Sequence, residues 1–183
     1  LIDELGVDAR GWIIQHGIIM RPDQVARVAA HGMMVTFCAG FTPGLGPVLS
    51  ERFDDGTAEH LNPVRQWLDA GITVSGATDW GPTDPWEQMR LAEHLHGLSP
   101  TETFRSWTAG GAQVLGWPEL GSLREGAHAD FVALSADVLQ RDDPIEVLSP
   151  VRALSGRLYA GPLSTGLPDF HLLRPRRFHW ARR

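Results

Sequence analysis

Short runs of apolar and β-branched residues alternate along the first two thirds of the chain with longer amphipathic stretches that carry helix start and stop signals. This is the pattern of βα units built on a parallel sheet. Three units can be counted. The first strand is predicted at Trp12-Ile13-Ile14-Gln15, and its helix opens at Pro22 with Asp23 in the first turn and ends before Gly32. The second strand is Met33 to Cys38. A connection rich in Gly and Pro follows over about residues 39–61, long enough to cover a site. A helix capped by Asn62, with Pro63 at its first position, then runs to Gly71, and Ile72 to Ala77 forms the third strand. The helix after it starts at Asp84-Pro85, with Asp84 as its cap.

Further on, Ser99-Pro100-Thr101-Glu102 is a capping box that opens a helix ending near Gly116. Strands take over beyond it, at Phe131 to Leu134 and in a hairpin pairing Val151 to Ser155 with Leu158 to Ala160, Gly156-Arg157 forming the two-residue turn. The pattern divides the chain into residues 1–116 as βα units, 117–163 as a β-rich unit and 164–183 as a basic tail.

Length and composition narrow the classes. With 183 residues, 43% hydrophobic and 21% charged, the chain suits one ordinary domain with an appendage and is neither disordered nor fibrous. No apolar run reaches the roughly 18–20 residues of a membrane-spanning helix, so a soluble protein without a membrane partner is expected. All sixteen basic residues are arginine, and lysine chemistry has no side chain to use. Five of them crowd into residues 174–183, leaving residues 1–173 with eleven arginines against 22 carboxylates. An acidic body of this kind argues against a nucleic-acid surface. The single cysteine, Cys38, excludes an internal disulfide framework and fits a reducing, cytoplasmic compartment. Residue 1 is Leu rather than Met, and the natural N-terminus is expected to lie upstream.

Parallel βα units gather the residues just past each strand on one face, where such folds place their sites. Those positions hold His16, Cys38 and Asp79. An imidazole and a carboxylate there suit a divalent cation, zinc first, that acidifies water, with Asp79 as general base. The residues alone leave two plainer readings open: a hydrogen-bonded loop histidine and an aspartate capping a turn. Cys38 is expected to pack as a small hydrophobe. Trp80 and Phe41 are candidates for an apolar substrate pocket. His94 and His96 are two positions apart on a helix and face different ways, which predicts a solvated helix end. Neither a phosphate loop nor a G-x-S-x-G elbow occurs, so nucleotide hydrolysis and serine-hydrolase chemistry lack support.

These residues resemble the metal-dependent amidohydrolase superfamily, and within it the family-3 branch of YtcJ-like and N-substituted formamide deformylase-like proteins. The likeness rests on I-I-Q-H-G-I-I around His16, on G-A-T-D-W at 76–80 and on the connector S-P-T-E-T-F-R-S-W-T-A-G-G-A-Q-V-L-G. Its most specific piece is G-S-L-R-E-G-A-H-A-D-F-V-A-L, similar to the run that returns the chain into a composite β-sandwich. The resemblance implies strands six to eight of a (β/α)₈ barrel followed by sandwich strands. His16 would be the strand-six metal ligand and Asp79 the strand-eight ligand and base, in hydrolysis of a small amide or another C–N bond. It also implies further ligands on strands that this chain does not contain, so a C-terminal portion of a larger enzyme is expected, partnered by the rest of the barrel or by a second copy. Ala127, Ser135 and Cys38 depart from the family's usual residues. Two competing readings are a non-catalytic truncated scaffold or interaction module, and a thiol-based triad of Cys38, His16 and Asp79.

Overall fold

Met-Val-Thr-Phe at residues 34–37 is β-branched and aromatic, and it forms the middle strand of a three-stranded parallel sheet. The structure, a computed structural model, describes residues 2–53, 56–79, 84–133 and 154–158. A short helix, α1 (Ile2–Leu5), precedes β1 (Ile13–Ile14), and α2 (Pro22–Ala30) leads into β2 (Met34–Phe37). The third strand is β3 (Val74–Gly76), and the sheet order is β1-β2-β3. Ile14 lies opposite Val35, Val35 opposite Val74, and Phe37 opposite Gly76. All three strands run the same way, so their carboxyl ends share one rim. Each is shorter than its apolar run, although flanking residues still bond across the sheet, the Val35 N–H to the Thr73 carbonyl and the Ala77 N–H to the Phe37 carbonyl.

Val35, Phe37, Val64 and Trp67 are fully buried at the centre of the core, with Val25 and Val28 of α2 packed around them. Each such side chain contributes about 1.5–3 kcal/mol by leaving water. The helix ends follow their sequence signals. Gln24 accepts the Arg21 N–H at 2.9 Å. Asp84 accepts the Trp86 N–H at 2.9 Å to open α5 (Pro85–His96). Ser99 and Glu102 close their capping box at the start of α6 (Pro100–Trp107).

Four expectations need correction. Residues 39–61 are not an open loop, because α3 (Phe41–Arg52) and a short 3₁₀ turn at Ala58–His60 fill them. Pro43 stands in the first turn, where its missing N–H costs nothing, and buried Gly46 lets Leu61 approach to 3.2 Å of where a Cβ would stand. Tertiary packing outweighs poor helix propensity there. Asn62 is not a helix cap, since α4 (Val64–Asp69) begins two residues later and Asn62 turns inward with φ +43°. A left-handed backbone is one that Asn tolerates, and it aims the amide away from the helix.

The helix expected to end near Gly116 is two helices, α6 and α7 (Ala109–Val114). Thr108 breaks it: its hydroxyl donates to the Phe104 carbonyl at 2.6 Å and its backbone leaves the helical region. The break lets Gly110 pass against the Val74 carbonyl, where a Cβ would collide. Finally, Gly156-Arg157 is not a turn but part of a strand. Here β4 (Ala129–Ala133) pairs antiparallel with β5 (Leu154–Leu158), with Phe131 opposite Gly156 and Asp130 opposite Arg157. The unbroken ladder pairs the backbone of five residues that a turn would interrupt. The predicted basic tail and Trp80 lie outside the described residues.

Candidate metal centre at the carboxyl-end rim

His16 follows β1 by two residues with φ +69°, a left-handed conformation that is strained for a residue with a Cβ. Two neighbours hold it there. Its N–H donates to Thr36 Oγ1 at 3.0 Å, Thr36 pointing off the sheet between buried Val35 and Phe37. Gly17 behind it has φ +47°, and a Cβ at that position would stand 2.8 Å from both Trp67 and Val35. The chain can pass between core and imidazole only as glycine.

The imidazole faces two groups. Its Nε2 lies 3.5 Å from Asp79 Oδ2, at the end of the segment leaving β3, and its Nδ1 lies 3.8 Å from Cys38 Sγ, just past β2. Phe41, the first residue of α3 and 2% exposed, sets its ring 5.1 Å from the imidazole. His16, Asp79, Cys38 and Phe41 therefore converge from the ends of all three strands. His16 keeps 23% of its side chain exposed and Asp79 keeps 43%, so the imidazole–carboxylate pair opens to solvent.

Cys38 is fully buried, and burial, reinforced by the charge on Asp79, pushes its thiol up to about 11. A protonated thiol with no open surface cannot reach a substrate, so the arrangement does not serve a thiol nucleophile. Cys38 packs beneath the imidazole instead.

A second set of polar residues stands behind the rim. Asn62, 1% exposed, donates from Nδ2 to the Cys38 carbonyl at 3.3 Å and to Thr42 Oγ1 at 3.1 Å. Thr42 Oγ1 in turn lies 3.3 Å from His96 Nε2. Gly40 donates its N–H to Gln88 Oε1 at 2.9 Å, and Gln88 is fully buried. His96 is thus not part of a solvated helix end. It shares a face of α5 with buried Met89 and Ala92, meets the edge of Phe37, and is held by burial at about 4. His94 is exposed as its spacing predicts. The sequence reading missed Thr36, Asn62 and Thr42. A threonine inside an apolar strand run was the available signal for the first, whereas Asn62-Pro63 imitates a helix start.

Whether these residues fit a cation is decided by their donors. An imidazole nitrogen and a carboxylate oxygen that face each other at an open rim are two ligands of the kind zinc takes. Catalytic zinc uses three protein ligands, and among the described residues no three His, Cys, Asp or Glu side chains are arranged to hold one metal ion, buried Cys38 facing the other ring nitrogen of His16. The pair fits part of a ligand set.

A profile described as the amidohydrolase family matches residues 3–153. The chain belongs to that family. Among its relatives, a 5-methylthioadenosine/S-adenosylhomocysteine deaminase of Bacillus cereus is 32% identical over 166 residues, covering 83% of this chain and 35% of the relative. An imidazolonepropionase of an Anaeromyxobacter species is 39% identical over 80 residues, 41% of this chain and 19% of the relative. Among solved structures, a mutant of the atrazine chlorohydrolase TrzN from Arthrobacter aurescens, complexed with zinc and atraton, is similar with a TM-score of 0.58 and 26% identity, over 78% of this chain and 34% of that one. This amidohydrolase chain spans about a third or less of the proteins it matches.

Proposed function

We propose that this chain is the carboxyl-terminal part of a metal-dependent amidohydrolase that hydrolyses an amide or other C–N bond of a small molecule. In this reading β1, β2 and β3 are strands six, seven and eight of a (β/α)₈ barrel ending near residue 116. Residues 117–163 return to a composite sandwich, and the remaining strands come from the rest of the enzyme or from a second copy. The cytoplasm is the proposed compartment. The observation that carries the reading is the 3.5 Å approach of His16 Nε2 to Asp79 Oδ2 on the rim where such folds work, in a chain of this family.

His16 and Asp79 would hold a divalent cation, zinc first. Such an ion supplies Lewis acidity and lowers the pKa of water toward neutrality. Asp79, the more exposed partner, would take a proton from the attacking water and return it to the leaving nitrogen. Thr36 and Gly17 fix the backbone that presents the imidazole, and buried Phe41 keeps its inner face dry. Trp80, next to Asp79, is the proposed apolar contact for substrate together with Phe41.

Zinc titration of the purified chain tests the proposal. Weak stoichiometric binding is expected, with about a tenfold or greater loss on either His16→Ala or Asp79→Ala. Binding unaffected by both substitutions, or none in the parent chain, would leave the reading of a non-catalytic scaffold in its place.

A further inference from the structure

Asn62 is remote from His16 in sequence, yet it touches both segments that leave the first two strands at the rim. Its backbone N–H donates to the Ile18 carbonyl at 2.7 Å, two residues after His16. Residues on either side extend this strap: Met20 donates its N–H to the His60 carbonyl at 3.0 Å, and Ile19 bridges Leu61. The side chain holds the other segment. Nδ2 donates to the Cys38 carbonyl and to Thr42 Oγ1, at the two ends of the turn that carries Cys38 and Phe41 against the imidazole. A carbonyl can only accept, so the amide must present its NH₂ to Cys38, and the orientation is fixed. Thr42 then has its own proton free for His96 Nε2, giving a chain of donors that runs from Asn62 into α5.

The geometry is demanding in each part. A left-handed φ of +43° brings backbone and side chain to bear on two different segments at once, and Asn is among the few non-glycine residues that adopt it readily. An aspartate would offer Cys38 an acceptor where a donor is needed. A glycine would keep the backbone arm and lose the other.

We propose that Asn62 is the positioning residue of the rim, clamping the His16 segment to the Cys38–Thr42 segment so that imidazole, thiol and Phe41 ring keep their mutual places. The inference rests on the reading in which His16 and Asp79 share a cation, but the clamp itself is read by Cys38, which needs no metal.

Two measurements on the full chain, alkylation of Cys38 by iodoacetamide under native conditions and titration with Zn²⁺, test it. Asn62→Asp and Asn62→Gly are expected to speed alkylation and weaken Zn²⁺ binding by about tenfold each, the size typical of losing a group that orients a ligand. Val28→Ala, a truncation in the core cluster at a residue of α2, is the control for general destabilisation and should move neither. Asn62 variants that change both readouts no more than this control does would overturn the clamp. Should the Asn62 variants fail to fold, Thr42→Val decides, since it removes one arm only. A smaller acceleration of alkylation is expected from it, and an unchanged rate overturns the proposal. Faster alkylation in the Asn62 variants with no Zn²⁺ binding by the parent chain would support the clamp and sink the metal reading. Zn²⁺ binding by the parent with both readouts unmoved in the variants would do the reverse.

Discussion

The helix ends and the carboxyl-end rim are both held by polar side chains, but the two sets of bonds reach across very different lengths of chain. Arg21 meets Gln24, Asp84 meets Trp86 and Ser99 meets Glu102, all within three residues. At the rim the separations are 20 residues from His16 to Thr36, 24 from Asn62 to Cys38, 48 from Gly40 to Gln88 and 54 from Thr42 to His96. A helix end solves a local problem, orphaned N–H groups, with whatever acceptor lies one turn away. The rim must hold unusual backbone, left-handed at His16 and Asn62, and only distant segments packed on it can do so. Losing a rim contact should therefore disturb several elements together, and losing a cap only one.

The largest expected effect is at Gly17. Gly17→Ala would set a methyl into Trp67 and Val35 on a backbone that disfavours it, and should cost about 3 kcal/mol, read as a lower urea midpoint. A smaller cost would mean that the core beneath His16 yields more easily than its burial indicates.

Next comes acid. His96 is held neutral in the fold, at about 4 against an ordinary 6.5. The unfolded chain takes up its proton first as pH falls, so the stability tied to the neutral ring is complete above pH 6.5, declines between 6.5 and about 4, and is constant below. The loss should reach up to ~3 kcal/mol, and a His96→Phe variant should flatten that part of the stability–pH curve. An unchanged curve would detach His96 from the rim.

The smallest effect belongs to the local set: Ser99→Ala should cost about 1 kcal/mol in chemical denaturation, with Cys38 alkylation unchanged. If it cost as much as Gly17→Ala, the distinction between the two regions would collapse.

The same distinction explains what could be read from the sequence. The three strands, α2, and the caps at Asp84 and Ser99 are written in residues close together, and they are where the pattern places them. His16, Cys38 and Asp79 were legible because strand direction alone sends them to one end. The helix at Phe41–Arg52 was not, since Pro43, Gly44, Gly46 and Pro47 spell a loop until buried Gly46 meets Leu61. Asn62 was misread for a related reason: Asn-Pro followed by an apolar stretch satisfies every local rule for a helix start, and its true partners lie 20 and 24 residues away. His96 needed the knowledge that its side of α5 lies over Phe37.

Because the sheet order follows the chain, each strand can add to the one made just before it, with no segment threaded between them. On a ribosome, the β1–β2 pair can form while β3 is still unmade, and synthesis proceeds slowly enough for early contacts to settle. The imidazole would then wait beside its sulfur and aromatic neighbours for a carboxylate that emerges some sixty residues later, making the arrival of the acid the moment at which the rim acquires its charge.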